Sequence, residues 1–420
     1  MKTSYQHHQL LVVPEDDPLE VISRQGAQRM LSVALEREVE EYLSRQRYVR
    51  SSAEDHFRGY RNGYGRERQV TIGSGTIKVR APRVSDQPAG QEPFESKILK
   101  PYQKRSQKLA ELFPKLFVEG LATRDFEPAL RCLLGSGAAL SPATIVRLNG
   151  QFKAEYEQWQ QRSLADYRFV YIWVDGVHIK AGVARENAAV LTVIGVDVDG
   201  TKHLIALEEG YRESKESWLE VLRSLRDRGM QAPVLAVGDG ALGFWAALPE
   251  VWPTTKSQRC WFHKMANVLD KLPQKERAPA AERVRAVYLA GSRAAAERLA
   301  QELAAEWQQG YPKAAACLLA ELDACLRYFD FPQPHWKHLR TTNPVESIFS
   351  TMRLRTDAAK RFRTARSGVH LIFKLIQRYQ KTWSRISAPE KLRAVLKSRQ
   401  KQKAVDKMSK NETDSVSIAA

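Results

Sequence analysis

The sequence predicts an α/β protein: a strand-rich centre interrupted by helices, preceded by a mostly helical region and followed by a basic helical end. Three observations carry that prediction. Runs with the two-residue period of strands crowd between residues 169 and 237, stretches with the 3.6-residue period of helices flank them, and residues 353–410 pack 18 Lys and Arg against Asp357, Glu390 and Asp406. With 420 residues, 43% apolar and 27% charged, the chain suits about three domains and a sizeable core, which excludes a disordered chain and a disulfide-stapled mini-protein. No apolar run approaches the ~18 residues of a membrane span, and residues 1–8 lack the apolar stretch of a secretory signal. A cytoplasmic protein with no membrane partner is expected. Cys132, Cys260, Cys317 and Cys325 are too sparse for a disulfide framework, in keeping with a reducing compartment. The net charge of +18 is concentrated in the basic block, as on a surface that neutralises phosphates; a merely solvated helical face is the other reading.

Residues 1–50 read as a helical, dimerising segment. From 17 to 47, Val21, Ile22, Ala27, Met30, Leu31, Val33, Ala34, Leu35, Val39 and Leu43 form a broad apolar face suited to a neighbour or a second subunit. Residues 51–100 hold a basic aromatic segment, His56-Phe57-Arg58-Gly59-Tyr60-Arg61-Asn62-Gly63-Tyr64-Gly65-Arg66, whose alternation suits backbone and base-face contacts and makes Arg61 a candidate DNA contact. A hairpin follows over 69–84, with Val70, Ile72, Ile77 and Val79 around Gly73-Ser74-Gly75, and then a polar linker over 85–93. Residues 101–165 are helical, divided by Gly135-Ser136-Gly137 and by Ser141-Pro142, an N-cap followed by proline in the first helical position. That pattern is compatible with a DNA-binding helix-turn-helix carrying Thr144, Arg147 and Asn149; two packed helices with no DNA contact fit equally.

Residues 166–266 form the first part of the central core. Apolar runs at 169–180, 188–198 and 202–208, the last two joined by Asp199-Gly200, give an antiparallel meander. An amphipathic helix over 214–230 bears Trp218, Leu219, Val221, Leu222 and Leu225, a buried strand spans 234–237, and 243–248 start another helix. Meander, helix and further strand are the opening of a ribonuclease H-like α/β fold. Residues 267–335 read as an Ala-rich, all-helical insertion. Residues 336–395 return to the core with basic helices, 343–379 reading as helical, and 396–420 form a polar tail expected to be disordered.

Metal-assisted phosphoryl transfer needs oxygen ligands for two Mg²⁺ ions about 3.5–4 Å apart, a demand that carboxylates on rigid strands meet. The candidates are Asp175 in the first strand, Asp239 at the end of the later one and Glu346 at the head of the basic helix. Asp175-Gly176 and Asp239-Gly240 also read as turns, although Val177 and Ile179 continue the alternation past Asp175, and a carboxylate inside an apolar strand is costly unless paired. Glu346 has a competing role: with Asn343 as N-cap and Pro344 first in the helix, it completes a capping box. Cys260 and His263 have half the spacing of a zinc site that His335 and His338 could complete; a buried Cys and His hydrogen-bonded in the core are the plainer reading. Trp218, Trp245 and Trp261 read as core, or as a platform for a flipped base.

Residues 167–385 resemble the catalytic region of bacterial Mutator-type insertion-sequence transposases. The resemblance lies in Val174-Asp175-Gly176, Glu209-Gly210-Tyr211-Arg212-Glu213-Ser214, Val237-Gly238-Asp239-Gly240-Ala241-Leu242-Gly243-Phe244-Trp245, Gln258-Arg259-Cys260-Trp261-Phe262-His263-Lys264 and Arg340-Thr341-Thr342-Asn343-Pro344-Val345-Glu346-Ser347. Tyr60-Arg61-Asn62-Gly63-Tyr64 and Ala81-Pro82-Arg83-Val84 extend it towards the amino terminus. It implies a ribonuclease H-like domain with a helical insertion before the glutamate, a DDE triad of Asp175, Asp239 and Glu346 that holds two Mg²⁺, with Mn²⁺ as substitute, and a supporting Cys-x-x-His motif in Cys260 and His263. Ile348, Ser350 and Met352 depart from the residues usual in that family and leave the triad intact.

The expected function is that of a transposase that binds the terminal inverted repeats of its element and target DNA, frees a 3′-OH by hydrolysis and joins it to target, as a homodimer or larger assembly. Arg61, Thr144, Arg147, Arg259, Lys264, Arg353, Arg355, Arg361 and Arg363 are the candidate DNA contacts. A non-catalytic DNA-binding regulator and a structure-selective nuclease are the alternatives.

Overall fold

A computed structural model describes residues 17–45, 57–88, 92–119, 142–181, 186–210, 214–240, 243–346 and 364–399, with the single positions 90, 134 and 349. It divides into two compact units, Met1–Leu148 and Asn149–Ala420. No helix among the described residues is long and apolar enough to cross a membrane.

The first unit is built on α1 (Pro18–Leu43), which starts where the Asp17 carboxylate accepts from the Leu19 amide with proline in the first turn, and stops where Ser44 turns left-handed at φ 54°. Its Leu35 packs with Val70, Ile77, Val79 and Leu99. The expected hairpin is there: β2 (Arg68–Ile72) pairs antiparallel with β3 (Gly75–Val79), Val70 opposite Ile77. The basic aromatic segment adds a second pair with the end of the stretch read as hairpin, β1 (Tyr60–Tyr64) with β4 (Pro82–Ser85). Gly75, at φ 117°, lies where a Cβ would come within 2.6 Å of Arg24 Cδ. Helix α2 (Gln107–Glu119) follows. The glycine turn of the expected helix-turn-helix lies outside the described residues, but α3 (Pro142–Gln160) begins at the proline that the sequence marks as its first residue.

In the second unit a five-stranded sheet has the order β7-β6-β5-β8-β9. The expected meander is β5 (Tyr171–Ala181), β6 (Glu186–Val196) and β7 (Lys202–Gly210), all antiparallel. Its second turn closes with the Gly200 amide on the Asp197 carbonyl at φ 86°, a conformation glycine adopts without strain. Helix α4 (Lys215–Asp227), capped by Ser214, buries Trp218, Val221, Leu222 and Leu225 against the sheet and crosses to β8 (Leu235–Gly238), which runs parallel to β5. Helix α5 (Phe244–Val251) then leads to β9 (Lys256–Arg259), parallel to β8. The sequence reading had no strand at Lys-Ser-Gln-Arg, because a four-residue polar edge strand has neither alternation nor an apolar run.

Helices α6 (Trp261–Asp270), α7 (Gln274–Leu289), α8 (Arg293–Gly310), α9 (Pro312–Leu319) and α10 (Leu322–Cys325) follow. A short α11 (Trp336–Leu339) precedes a helical turn at 343–346, and α12 (Ala365–Gln380) packs on β7 and β5. The expectation of continuous helix over 343–379 is corrected here. Thr364 is extended (φ −136°, ψ 153°) and exchanges capping bonds with Ser367, so α12 is a fresh helix, and its Val369, Ile372, Phe373 and Ile376 are buried core.

Candidate active site

The site grows where the short strand β8 ends beside the longer, parallel β5. Trp173 of β5 is in register with Val237 of β8, so Asp175, within β5, and Asp239, just past the end of β8, each stand two residues beyond that pair on neighbouring parallel strands. Close approach of the strands depends on Gly238: a Cβ there would stand 2.7 Å from Val174 Cγ2 and 3.1 Å from Trp245. Asp175-Gly176 is no turn, because β5 continues to Ala181 as the alternation of Val177 and Ile179 indicates. The Asp175 side chain is only 8% exposed, and its Oδ1 accepts from the Gly176 amide at 2.9 Å. Asp239 does sit at a strand end. Its Oδ1 accepts from the Gly240 amide and its carbonyl from the Trp245 indole.

Glu346 arrives from the far side of the chain. The expected capping box on Asn343 is corrected: the turn starts one residue earlier, with the Val345 and Glu346 amides on the Thr342 carbonyl at 2.8 and 3.0 Å, and the Asn343 amide goes to Thr341 Oγ1. Fully buried Thr342 then donates its hydroxyl to Glu346 Oε1, and its amide lies 3.3 Å from Cys260 Sγ. The carboxylate is therefore held by the threonine at its own helix start and at the same time faces α6. There His263 stands between the two acids, Nδ1 3.1 Å from Asp239 Oδ2 and Nε2 3.3 Å from Glu346 Oε1. Nδ1 is not aligned for a hydrogen bond, so its contact is that of an ion pair. The contacts with Asp239 and then Glu346 push the imidazole up to about 11 against its desolvation, which keeps it cationic at neutral pH. Burial raises the Cys260 thiol above its ordinary value, so it stays protonated.

Carboxylate oxygens on adjacent parallel strands are hard donors of the kind Mg²⁺ and Mn²⁺ take. Among the described residues no three His, Cys, Asp or Glu side chains form a ready metal cage. The donor set suits the usual habit of Mg²⁺, held by one or two carboxylates with water and phosphate oxygens completing its shell. The zinc alternative is set aside: His335 bonds the Tyr171 hydroxyl and the Ala388 carbonyl, and His338 bonds Ser387, so neither joins Cys260 and His263.

Comparison with known proteins shows the family. The model of the family described as "Transposase, Mutator family" matches residues 4–386. The chain belongs to that family. It is 45% identical over 281 residues to the transposase for insertion sequence element IS6120 of Mycolicibacterium smegmatis, which covers 67% of this chain and 87% of the relative. It is 41% identical over 268 residues to the transposase for insertion sequence element IST2 of Acidithiobacillus ferrooxidans, 63% of this chain and 90% of the relative. The transposase for IS256 in transposon Tn4001 of Staphylococcus aureus is 25% identical over 358 residues, 83% and 87% of the two chains.

Within this Mutator-family chain the candidate DNA contacts among the described residues, Arg61, Arg259 and Lys264, are engaged by other groups of the chain. Arg61 makes a two-pronged pair with Glu36 of α1 (Nη2–Oε1 2.7 Å, Nε–Oε2 3.1 Å) and lies over the Tyr64 ring, a framework role in this state. Arg259, beside the Asp239 strand end, pairs with Glu321 at 2.7 Å and stacks on Trp245 at 4.2 Å, while Lys264 bonds the Ala320 carbonyl. Thr144 and Arg147 lie on α3 with side chains outside the description, and Arg353, Arg355, Arg361 and Arg363 lie outside the described residues altogether. Trp218 and Trp261 are core, as expected. Three contributors escaped sequence reading: Thr342, Trp245 as the clamp on Asp239, and Glu321 as the partner of Arg259. Only Thr342 had a signal, a polar residue directly before a helix start.

Proposed function

We propose that this Mutator-family transposase binds the terminal inverted repeats of its element, cuts a phosphodiester to free a 3′-OH and joins that hydroxyl to target DNA, all in one acidic pocket. The observation that carries the reading is the meeting of Asp239 and Glu346 on His263, with Asp175 on the neighbouring strand β5. The strand order β7-β6-β5-β8-β9, with three antiparallel strands followed by two parallel ones, supports a ribonuclease H-like core, and the helices between β9 and Glu346 support the helical insertion.

Asp175, Asp239 and Glu346 would hold Mg²⁺ or Mn²⁺, which when bound supplies charge neutralisation at the phosphate and activation of the attacking oxygen. The chain's own groups do the rest. Adjacent parallel strands fix the two aspartates on a rigid base, Thr342 fixes the glutamate, and His263 offsets the repulsion between two carboxylates that share its ring. Hydrolysis and joining are both in-line displacements at phosphorus by an oxygen nucleophile, so one pocket can serve both steps. The basic stretch over 353–410 supports DNA as the partner.

Labelled terminal-repeat ends incubated with target plasmid and Mg²⁺ test the proposal. Cleavage and joining by the wild type, both lost in Asp175→Asn, Asp239→Asn and Glu346→Gln with end binding retained, are expected. Binding without metal-dependent chemistry would make the protein a regulator, and cutting without joining a nuclease.

A further inference from the structure

Thr192 sits in the middle of β6, where Ala188-Ala189-Val190-Leu191-Thr192-Val193-Ile194-Gly195-Val196 carries no other hydroxyl. It pairs with Asp175 across β5 and with Leu207 across β7. Directly opposite residues of an antiparallel pair point to the same face, and residues two apart along a strand share it. Thr192 is therefore flanked by Val190 and Ile194 along its own strand and by Leu207 and Asp175 to either side. Of those four, only Asp175 has a polar side chain. Among the described residues Thr192, Gln258, His335 and Thr342 are the polar ones with no exposure at all. Gln258 donates to the Cys325 carbonyl, His335 bonds the Tyr171 hydroxyl and Thr342 donates to Glu346, whereas the Thr192 hydroxyl has no hydrogen-bond partner among the described residues. A buried hydroxyl left that way destabilises a fold, and valine would fill the same space without the penalty.

We propose that Thr192 is a positioning residue for Asp175, its hydroxyl donating to that carboxylate when the carboxylate holds a divalent cation. The inference rests on the reading of Asp175 as one of the metal-holding acids. Reach is sufficient, because the Cβ atoms of directly opposite residues stand ~4.5–5.5 Å apart and both side chains extend from them on one face. One staggered step about the Thr192 Cα–Cβ bond re-aims the hydroxyl and leaves the side-chain volume unchanged. In the metal-free chain Asp175 Oδ1 accepts from the Gly176 amide, and Thr192 is left out. A hydroxyl that donates to the ionised carboxylate favours the charged form and fixes its direction, which is how groups behind a metal-holding side chain raise its affinity. Thr342 already serves Glu346 in this way. Thr192 would do the same for Asp175 only on loading, and its lost hydrogen bond in the metal-free chain is the counterpart of tighter binding.

Urea denaturation in EDTA and Mn²⁺ titration followed by electron paramagnetic resonance, both on the full chain without DNA, test this together. Thr192→Val should have a urea midpoint at or above that of the wild type and bind Mn²⁺ about tenfold more weakly. Thr192→Ser keeps the hydroxyl and leaves a methyl-sized gap, so its midpoint should fall while its Mn²⁺ affinity stays within about twofold of the wild type. A side chain with only a packing role would move stability and affinity in the same direction. Wild-type Mn²⁺ affinity in Thr192→Val, a midpoint that falls with the affinity in Thr192→Val, or a loss of affinity in Thr192→Ser equal to that in Thr192→Val would each overturn the role. Wild-type affinity in Asp175→Asn as well would remove the metal-holding reading of Asp175 and this inference with it, whereas weakened binding in Asp175→Asn alone would overturn Thr192 and leave that reading standing.

Discussion

Replacing Thr342 by Val keeps the volume and the branched shape of a fully buried side chain and removes only its hydroxyl, the group that donates to Glu346 Oε1. A hydrogen bond to a charged partner contributes roughly 1.5–3 kcal/mol. The Glu346 side chain is about a quarter exposed, so water can replace part of what is lost, which places the effect at the lower end, near 1.5 kcal/mol. Expressed as loss of a correctly aimed carboxylate, that is about a tenfold fall in the cleavage rate. Single-turnover cleavage of a terminal-repeat oligonucleotide in Mg²⁺ measures it, and Thr342→Ser should recover most of the rate because it restores the donor. Wild-type cleavage by Thr342→Val would refute the reasoning that this hydroxyl aims Glu346. So would an equal loss in Thr342→Ser, which would point to packing.

Gly238→Ala places a methyl 2.7 Å from Val174 Cγ2 and should cost about 1–3 kcal/mol by forcing β5 and β8 apart, read as a lower urea midpoint together with slower cleavage. Burial lowers His338 from its ordinary value to about 4, and Ser387 donates its amide to the unprotonated Nε2. Because the folded-state value lies below the unfolded one of ~6.5, the neutral ring contributes its full stability above that pH. The contribution fades between about pH 6.5 and 4; urea denaturation should show a loss of about 1–3 kcal/mol across that window, smaller in His338→Gln. Replacing Arg353, Arg355, Arg361 and Arg363 together with Ala should weaken DNA binding and flatten its dependence on salt, since each phosphate contact releases about one counterion. An unchanged slope in a salt-titrated binding assay would remove this stretch from the interface.

The strands that carry Asp175 and Asp239 were legible because they are fully buried, so Tyr171–Val174 and Leu235–Val237 appear in the chain as unbroken apolar runs. Helix α4 announced itself through Ser214 and its stripe of Trp218, Leu222 and Leu225. What failed to show depended on partners distant in sequence. Strand β9 is polar and is a strand only because β8 lies beside it, and β1 is held by β4 while most of its side chains face water. The helix start before Glu346 shifted from Asn343 to Thr342 because Thr342 also meets Cys260, a contact that no local capping rule contains. Both cysteine and histidine of the Cys-x-x-His motif were found by spacing, which offered zinc as the lesser reading beside a buried pair hydrogen-bonded within the core. Only the fold shows that His263 turns to two carboxylates while Cys260 turns to a threonine.

The central claim is that Asp175, Asp239 and Glu346 together hold the divalent ions, and Mn²⁺ titration followed by electron paramagnetic resonance tests it without requiring DNA or turnover. The wild type should bind Mn²⁺, with Mg²⁺ competing, and Asp175→Asn, Asp239→Asn and Glu346→Gln should each lower the affinity tenfold or more. Wild-type affinity in all three single variants would contradict the account.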